Sequence, residues 1–82
     1  DKVIENIDFL FIDGDHSRVG VIDDFNNYRN KVNKGGLIVF DNYSDPNWPE
    51  VKEAVDFLVD IHAITYKVHS KYGHCLVLEK LV

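Results

Sequence analysis

Methionine is absent from this 82-residue sequence, and cysteine, tryptophan and proline are scarce at one, one and two. A lone cysteine, Cys75, cannot form an internal disulfide, which fits a reducing compartment such as the cytoplasm. At the head of the apolar run Cys75 to Leu78, it reads as a small core residue. Basic residues are few: nine against fourteen acidic ones, for a net charge of −5. With no basic patch to offset that balance, nucleic acid is not expected as a partner. No apolar run is long enough to span a bilayer and no N-terminal signal pattern is present, so no membrane association is expected. There is no repeat and no low-complexity segment. Residues 1–82 are expected to form a single small domain, only marginally stable alone. The opening DKVIENIDFL has no initiator methionine and leads at once into a strand, so the sequence reads as part of something longer.

What is present follows a clear order. Ile7 to Ile12 is apolar but for Asp8, as suits a strand covered on both faces in a parallel sheet. Val21, Phe25, Tyr28 and Val32 recur at three- and four-residue spacing and predict an amphipathic helix over residues 19–34. Asp23 and Asp24 early and Lys31 and Lys34 late would complement its dipole, and Gly35 would end it. Leu37 to Phe40 predicts a second strand. Pro49 suits the first turn of another helix, whose apolar face carries Val51, Ala54, Val55, Leu58 and Ile61. Ile64, Tyr66 and Val68 alternate with polar residues as in a strand, Gly73 marks a turn, and Cys75 to Leu78 closes the pattern. The fold class is therefore α/β in the order β-α-β-α-β-β, parallel strands followed by a C-terminal antiparallel hairpin.

Chemistry concentrates where the first two strands end. FLFIDGDHS runs from four apolar residues into Asp13, Asp15 and His16, and the second strand ends in Asp41 and Asn42. In open α/β sheets ligands bind beyond the carboxyl ends of the strands. If the two strands are neighbours, their axes lie about 4.8 Å apart, and carboxylates that close repel unless a cation sits between them. Asp13, Asp41 and the amide oxygen of Asn42 form a hard-oxygen set suited to Mg2+ or Ca2+ rather than zinc. The competing reading gives Asp13, Asp41 and Asn42 capping and turn roles alone. Asp15 or Ser17 would cap the following helix. His16, at the mouth of the site, is a candidate general base, because imidazole exchanges protons near neutrality; otherwise it is a solvent-exposed side chain. His62, His69 and His74 read as surface or packing residues. Tyr43 and Trp48 lie in the loop after the second strand, where an aromatic ring would either wall a substrate or pack between elements.

Taken together, FLFIDGDHS, NKGGLIVFDNY and PEVKEAVDFLV resemble the C-terminal half of class I S-adenosylmethionine-dependent methyltransferases. The strand end IDG-x-H is similar to that of macrocin-type sugar O-methyltransferases, and GG-x-I-x-x-DN to that of cation-dependent catechol and caffeoyl-CoA O-methyltransferases. The resemblance implies a partial Rossmann-like sheet, with the last strand inserted antiparallel between its two neighbours. It implies a divalent cation such as Mg2+ at Asp13, Asp41 and Asn42, and His16 as the base that deprotonates a hydroxylated small molecule or sugar. The cofactor-binding half is missing: the five glycines make no G-x-G. No residue of this chain is therefore assigned to S-adenosylmethionine, and the chain alone is expected to be inactive.

Two other classes fit parts of the pattern. DGD matches the D-x-D of metal-dependent glycosyltransferases, and the paired acidic motifs loosely match haloacid-dehalogenase-type phosphatases, although His16-Ser17 suits the latter poorly. A non-catalytic α/β assembly module is the remaining alternative. The strand IDFLFI would lack a neighbour on one side. An apolar edge of this kind predicts a homo-oligomer unless residues 1–6 fold back over it.

Overall fold

The computed structural model describes residues 7–13 and 16–82. The expectations placed on residues 1–6, on Gly14 and on Asp15 lie outside them. Four strands and two helices follow the expected order: β1 (Ile7–Ile12), α1 (Arg18–Tyr28), β2 (Val32–Phe40), α2 (Pro49–Ile61), β3 (Tyr66–Tyr72) and β4 (Cys75–Lys80). A single sheet carries them in the order β1-β2-β4-β3. β1 and β2 are parallel, whereas β4 is antiparallel to both β2 and β3. The strand last in sequence therefore lies inside the sheet, as the resemblance implied.

Period-two alternation divides β2 between two surfaces. Ile38 and Phe40 are fully buried and join Ile12, Leu76 and Leu78 beneath Val21 and Phe25 of α1 and Val51, Ala54, Val55 and Leu58 of α2. Leu37 and Val39 point the other way and, with Phe9, Tyr72, Cys75 and Val77, line an open concavity of about 360 Å³. Both helices thus pack on one face. At the sheet's margin β1 pairs, among the described strands, with β2 alone, and Phe9 and Phe11 stand half exposed. A larger concavity of about 560 Å³ runs along this strand, lined by Leu10, Ile12 and Tyr28 and reaching Asp13 at one end.

Several sequence expectations need correction. The first helix stops at Tyr28, tightens into a single 3-10 turn over Arg29–Lys31, and gives way to β2 at Val32. Val32 keeps the helical spacing, but its partner is Ile7 across the sheet, and strand pairing overrides the local period. Asp23 and Asp24 consequently fall mid-helix, with no acidic residue in the first turn and no basic residue in the last. Gly35 does take the left-handed conformation (φ 83°), but within β2. Between the pairs Ile7–Val32 and Phe9–Leu37, β2 spends five residues where β1 spends two, and the glycine absorbs the distortion. β3 begins at Tyr66, so Ile64 is outside it and almost wholly exposed, and of the alternating set only Tyr66 is buried. Cys75 is only partly buried, and its thiol faces the polar end of the sheet.

A group of rings packs between the helices and the sheet. Phe25 lies 5.9 Å from Phe40, 5.5 Å from His62 and 5.3 Å from Tyr66. The Arg29 guanidinium sits 5.4 Å above both Phe25 and Tyr66, donates to the Tyr66 hydroxyl at 3.2 Å, and approaches His62 Nε2 at 3.4 Å. Lys80 reaches back to the carbonyls of Arg29 and Val32. This cluster fixes α1, α2 and the sheet to one another, and through Phe40 it reaches the strand that ends in Asp41.

Candidate functional site

Ile12 pairs with Phe40, so Asp13 and Asp41 leave the sheet at the same end of two neighbouring parallel strands. The Asp41 amide donates to the Ile12 carbonyl at 3.1 Å, extending the pairing one step beyond the strands. Asp13, His16, Asp41 and Asn42 then line one narrow cleft, floored by Ile12, Val21, Phe40 and Val51.

The loop after β2 is organised by its own polar groups. Asn42 adopts φ 64°, a conformation among non-glycine residues that asparagine tolerates best. Its amide N–H donates to Asp41 Oδ1 at 2.9 Å, and Cys75 Sγ donates to the same oxygen at 3.4 Å. Burial pushes the Cys75 thiol up from its ordinary value; the hydrogen bond to Asp41 and the charges of Asp41 and Asp13 push the same way. Asp45 accepts the backbone N–H of Asn47 at 2.9 Å, and its carbonyl accepts that of Trp48 at 3.0 Å. Trp48 is thereby set at the start of α2, with Pro49 in the first turn as expected.

His16 is held from two directions. Its Nε2 lies 2.9 Å from Asn42 Oδ1, and its ring stacks on Trp48 with centroids 4.1 Å apart and planes 15° from parallel. Trp48 thus belongs to the site rather than the core and keeps 42% of its surface exposed. His16, Ser17, Asn47, Trp48, Pro49 and Glu50 line an open groove of about 540 Å³. Ser17 caps α1, its hydroxyl accepting the Gly20 N–H at 3.0 Å, and Glu50 Oε1 accepts the Arg18 N–H at 2.9 Å. The second contact ties the first turn of α1 to the first turn of α2 and so fixes the floor of the groove.

Behind the loop, Tyr43 donates to Asp56 Oδ1 at 2.6 Å, and Lys52 donates to both the Tyr43 hydroxyl (3.2 Å) and Asp56 (2.8 Å). Burial raises the Tyr43 pKa, and its hydrogen bond to Asp56 adds to that. Burial acts upward on Asp56 too, but the hydrogen bonds from Lys52 and Tyr43 outweigh it and leave the carboxyl below its usual value. Tyr43 therefore anchors the loop to α2 instead of walling a substrate. This network has no signal in the sequence beyond the i, i+4 pair Lys52–Asp56.

The four residues expected at the site therefore share one cleft. Among the described residues no group of three or more His, Cys, Asp or Glu side chains is placed to hold a metal ion. Asp13, Asp41 and Asn42 line the cleft together, and Asn42 Oδ1 lies 2.9 Å from His16 Nε2. Among the described residues no helix is long and apolar enough to cross a membrane.

The chain is similar in sequence and in fold to known proteins. The chain is 54% identical over 72 residues to an uncharacterized protein of Acanthamoeba polyphaga mimivirus, covering 85% of this chain and 33% of that protein. It spans about a third of that relative's length. Its fold is similar to the structure of the O-methyltransferase NovP, with a TM-score of 0.77 over 95% of this chain and 31% of the other, at 23% identity. A family profile described as a methyltransferase domain matches residues 2–43, half of the sequence, from before β1 to just past Asn42. The α/β sheet with its inserted antiparallel strand, the acids at its parallel strand ends and that match together make the chain a member of the methyltransferase domain family.

Proposed function

We propose that this chain forms the acceptor side of an S-adenosylmethionine-dependent O-methyltransferase acting on a hydroxylated small molecule or sugar. The observation that carries this reading is the convergence of Asp13, His16, Asp41 and Asn42 at the ends of β1 and β2, beside a groove walled by Trp48. The cofactor, when bound, supplies a methyl group on a sulfonium. The acceptor lies in the groove against Trp48, and Asn47, Ser17 and Glu50 offer polar contacts to its hydroxyls. His16 takes the proton of the attacking hydroxyl as its oxygen bonds to the methyl carbon and the methyl–sulfur bond breaks, its electron pair leaving with sulfur as a thioether. A divalent cation would be held by Asp13, Asp41 and the second lone pair of Asn42 Oδ1, and would lower the pKa of a coordinated hydroxyl.

In a full-length protein containing this chain, His16→Ala is expected to lower turnover by about 100-fold or more, the usual contribution of a general base. Cofactor affinity, measured by calorimetry, is expected to stay within a few-fold. Equal losses of both would assign His16 a structural role and overturn the reading.

A further inference from the structure

The amide of Asn42 can be read in one orientation only. Its Nδ2 lies 3.4 Å from Asp45 Oδ2, and a carboxylate accepts hydrogen bonds but does not donate them. The NH2 group must therefore face Asp45, which turns Oδ1 toward His16. An amide oxygen is likewise only an acceptor, so the His16 nitrogen 2.9 Å away, Nε2, must carry the hydrogen. In a neutral imidazole the lone pair then resides on Nδ1. The stack on Trp48, at 4.1 Å and 15°, fixes the ring plane independently of that hydrogen bond. One short loop makes both restraints: Asn42, Asp45 and Trp48 are linked by Asp45 N–H to Asn42 O at 3.3 Å and by Trp48 N–H to Asp45 O at 3.0 Å. The positive φ of Asn42 adds to the argument, since a conformation that glycine would accept more readily is here given to a residue with an amide.

We infer that Asn42, itself oriented by Asp45, is a positioning residue for His16: it fixes the Nε2–H form of the ring and leaves Nδ1 as the nitrogen that takes the acceptor's proton, while Trp48 holds the ring plane. The catalytic part of this inference rests on the function proposed above; the restraint on the ring does not, and the experiment reads the restraint.

The 82-residue chain, labelled with 15N and kept free of metal and cofactor, is measured by long-range proton–nitrogen NMR at about pH 8.5, where ordinary imidazoles are neutral. His16 is expected in the Nε2–H form, with ring protons displaced upfield by the indole relative to the exposed His69. Asn42→Gly suits the backbone at φ 64° and removes only the amide. It is expected to lose at least half of the upfield displacement and the slowly exchanging Nε2 proton. Trp48→Leu is expected to abolish the upfield displacement while the tautomer stays. An Nδ1–H ring in the unmodified chain overturns the inference whether or not any variant folds. So does Asn42→Gly with unchanged ring signals. A His16→Ala enzyme with undiminished turnover would remove the catalytic reading and leave the ring restraint standing.

Discussion

Phe25 is the residue on which the helical face of the sheet depends, and its replacement gives the sharpest test of the packing. It is fully buried and meets Phe40, His62 and Tyr66 at centroid distances of 5.3–5.9 Å, with the Arg29 guanidinium over its face. Phe→Ala at such a site costs about 3–5 kcal/mol through lost burial and the cavity left behind. A domain of this size has a total stability of about 4–12 kcal/mol, from roughly 0.05–0.15 kcal/mol per residue. Phe25→Ala therefore removes about a quarter or more of the total and leaves a partly unfolded chain at the lower end of that range. Phe25→Leu refills much of the volume and is expected to cost about 1–2 kcal/mol, as shape changes in cores do. Urea denaturation followed by circular dichroism reads both, with an unchanged m-value expected for Leu. The same variants carry a second readout. His62 is held below its ordinary pKa first by burial and then by the charge of Arg29. Removing the Phe25 ring opens His62 to water and lets its pKa rise toward the usual histidine value. A loss under about 1 kcal/mol for Phe25→Ala, or a His62 titration that does not move, would refute the assignment of Phe25 as the anchor of this cluster.

Other expectations concern the backbone, protons and the thiol. A β-carbon on Gly36 would lie 2.9 Å from the Asn33 carbonyl, 3.1 Å from that of Asp8 and 2.7 Å from a Val32 methyl, so Gly36→Ala is expected to cost about 1–3 kcal/mol in a thermal melt. Gly35→Ala meets no neighbour but must hold φ 83°, and is expected to cost about 1–2 kcal/mol. Because the folded-state pKa of His62 is depressed, the unfolded chain binds the extra proton first as pH falls; the His62 contribution is intact above about pH 6.5 and is lost as pH drops from there through the folded value. Denaturation midpoints across pH 5–8 check this, and a His62→Gln variant should flatten that part of the profile. The raised pKa of Cys75 predicts slow alkylation at neutral pH, slower than a free thiol in the same buffer, and Cys75→Ser should keep a donor to Asp41.

The sequence carried the element order, the cap at Ser17, the proline at the start of α2 and the gathering of acids at one end of the sheet, because each has a local cause. Strand runs, capping hydroxyls and turn residues act within a few positions. The end of α1 was not legible, since Val32 satisfies the helical period and only its partner Ile7, 25 positions away, makes it a strand residue. Gly35 was read with the right conformation and the wrong purpose, as φ alone does not distinguish a helix stop from an irregular strand. The His16–Trp48 stack and the Tyr43–Lys52–Asp56 network join residues across the fold, and nothing in local spacing announces them.

The central place of β4 also bears on how the chain acquires its structure during synthesis. β4 follows every other element in sequence, yet it joins β2 to β3. Until it has left the ribosome, β2 has a partner on one side at most and β3 has none among the described strands. The hairpin of β3 and β4, closed by a tight turn with Gly73 at φ 53°, is the most local pairing available and can form within microseconds. The parallel β1–β2 pair spans 25 or more positions and costs more loop entropy to close. The nascent chain thus holds the apolar β2 partly unpaired until β4 arrives, and its sheet is completed from the C-terminal side inward.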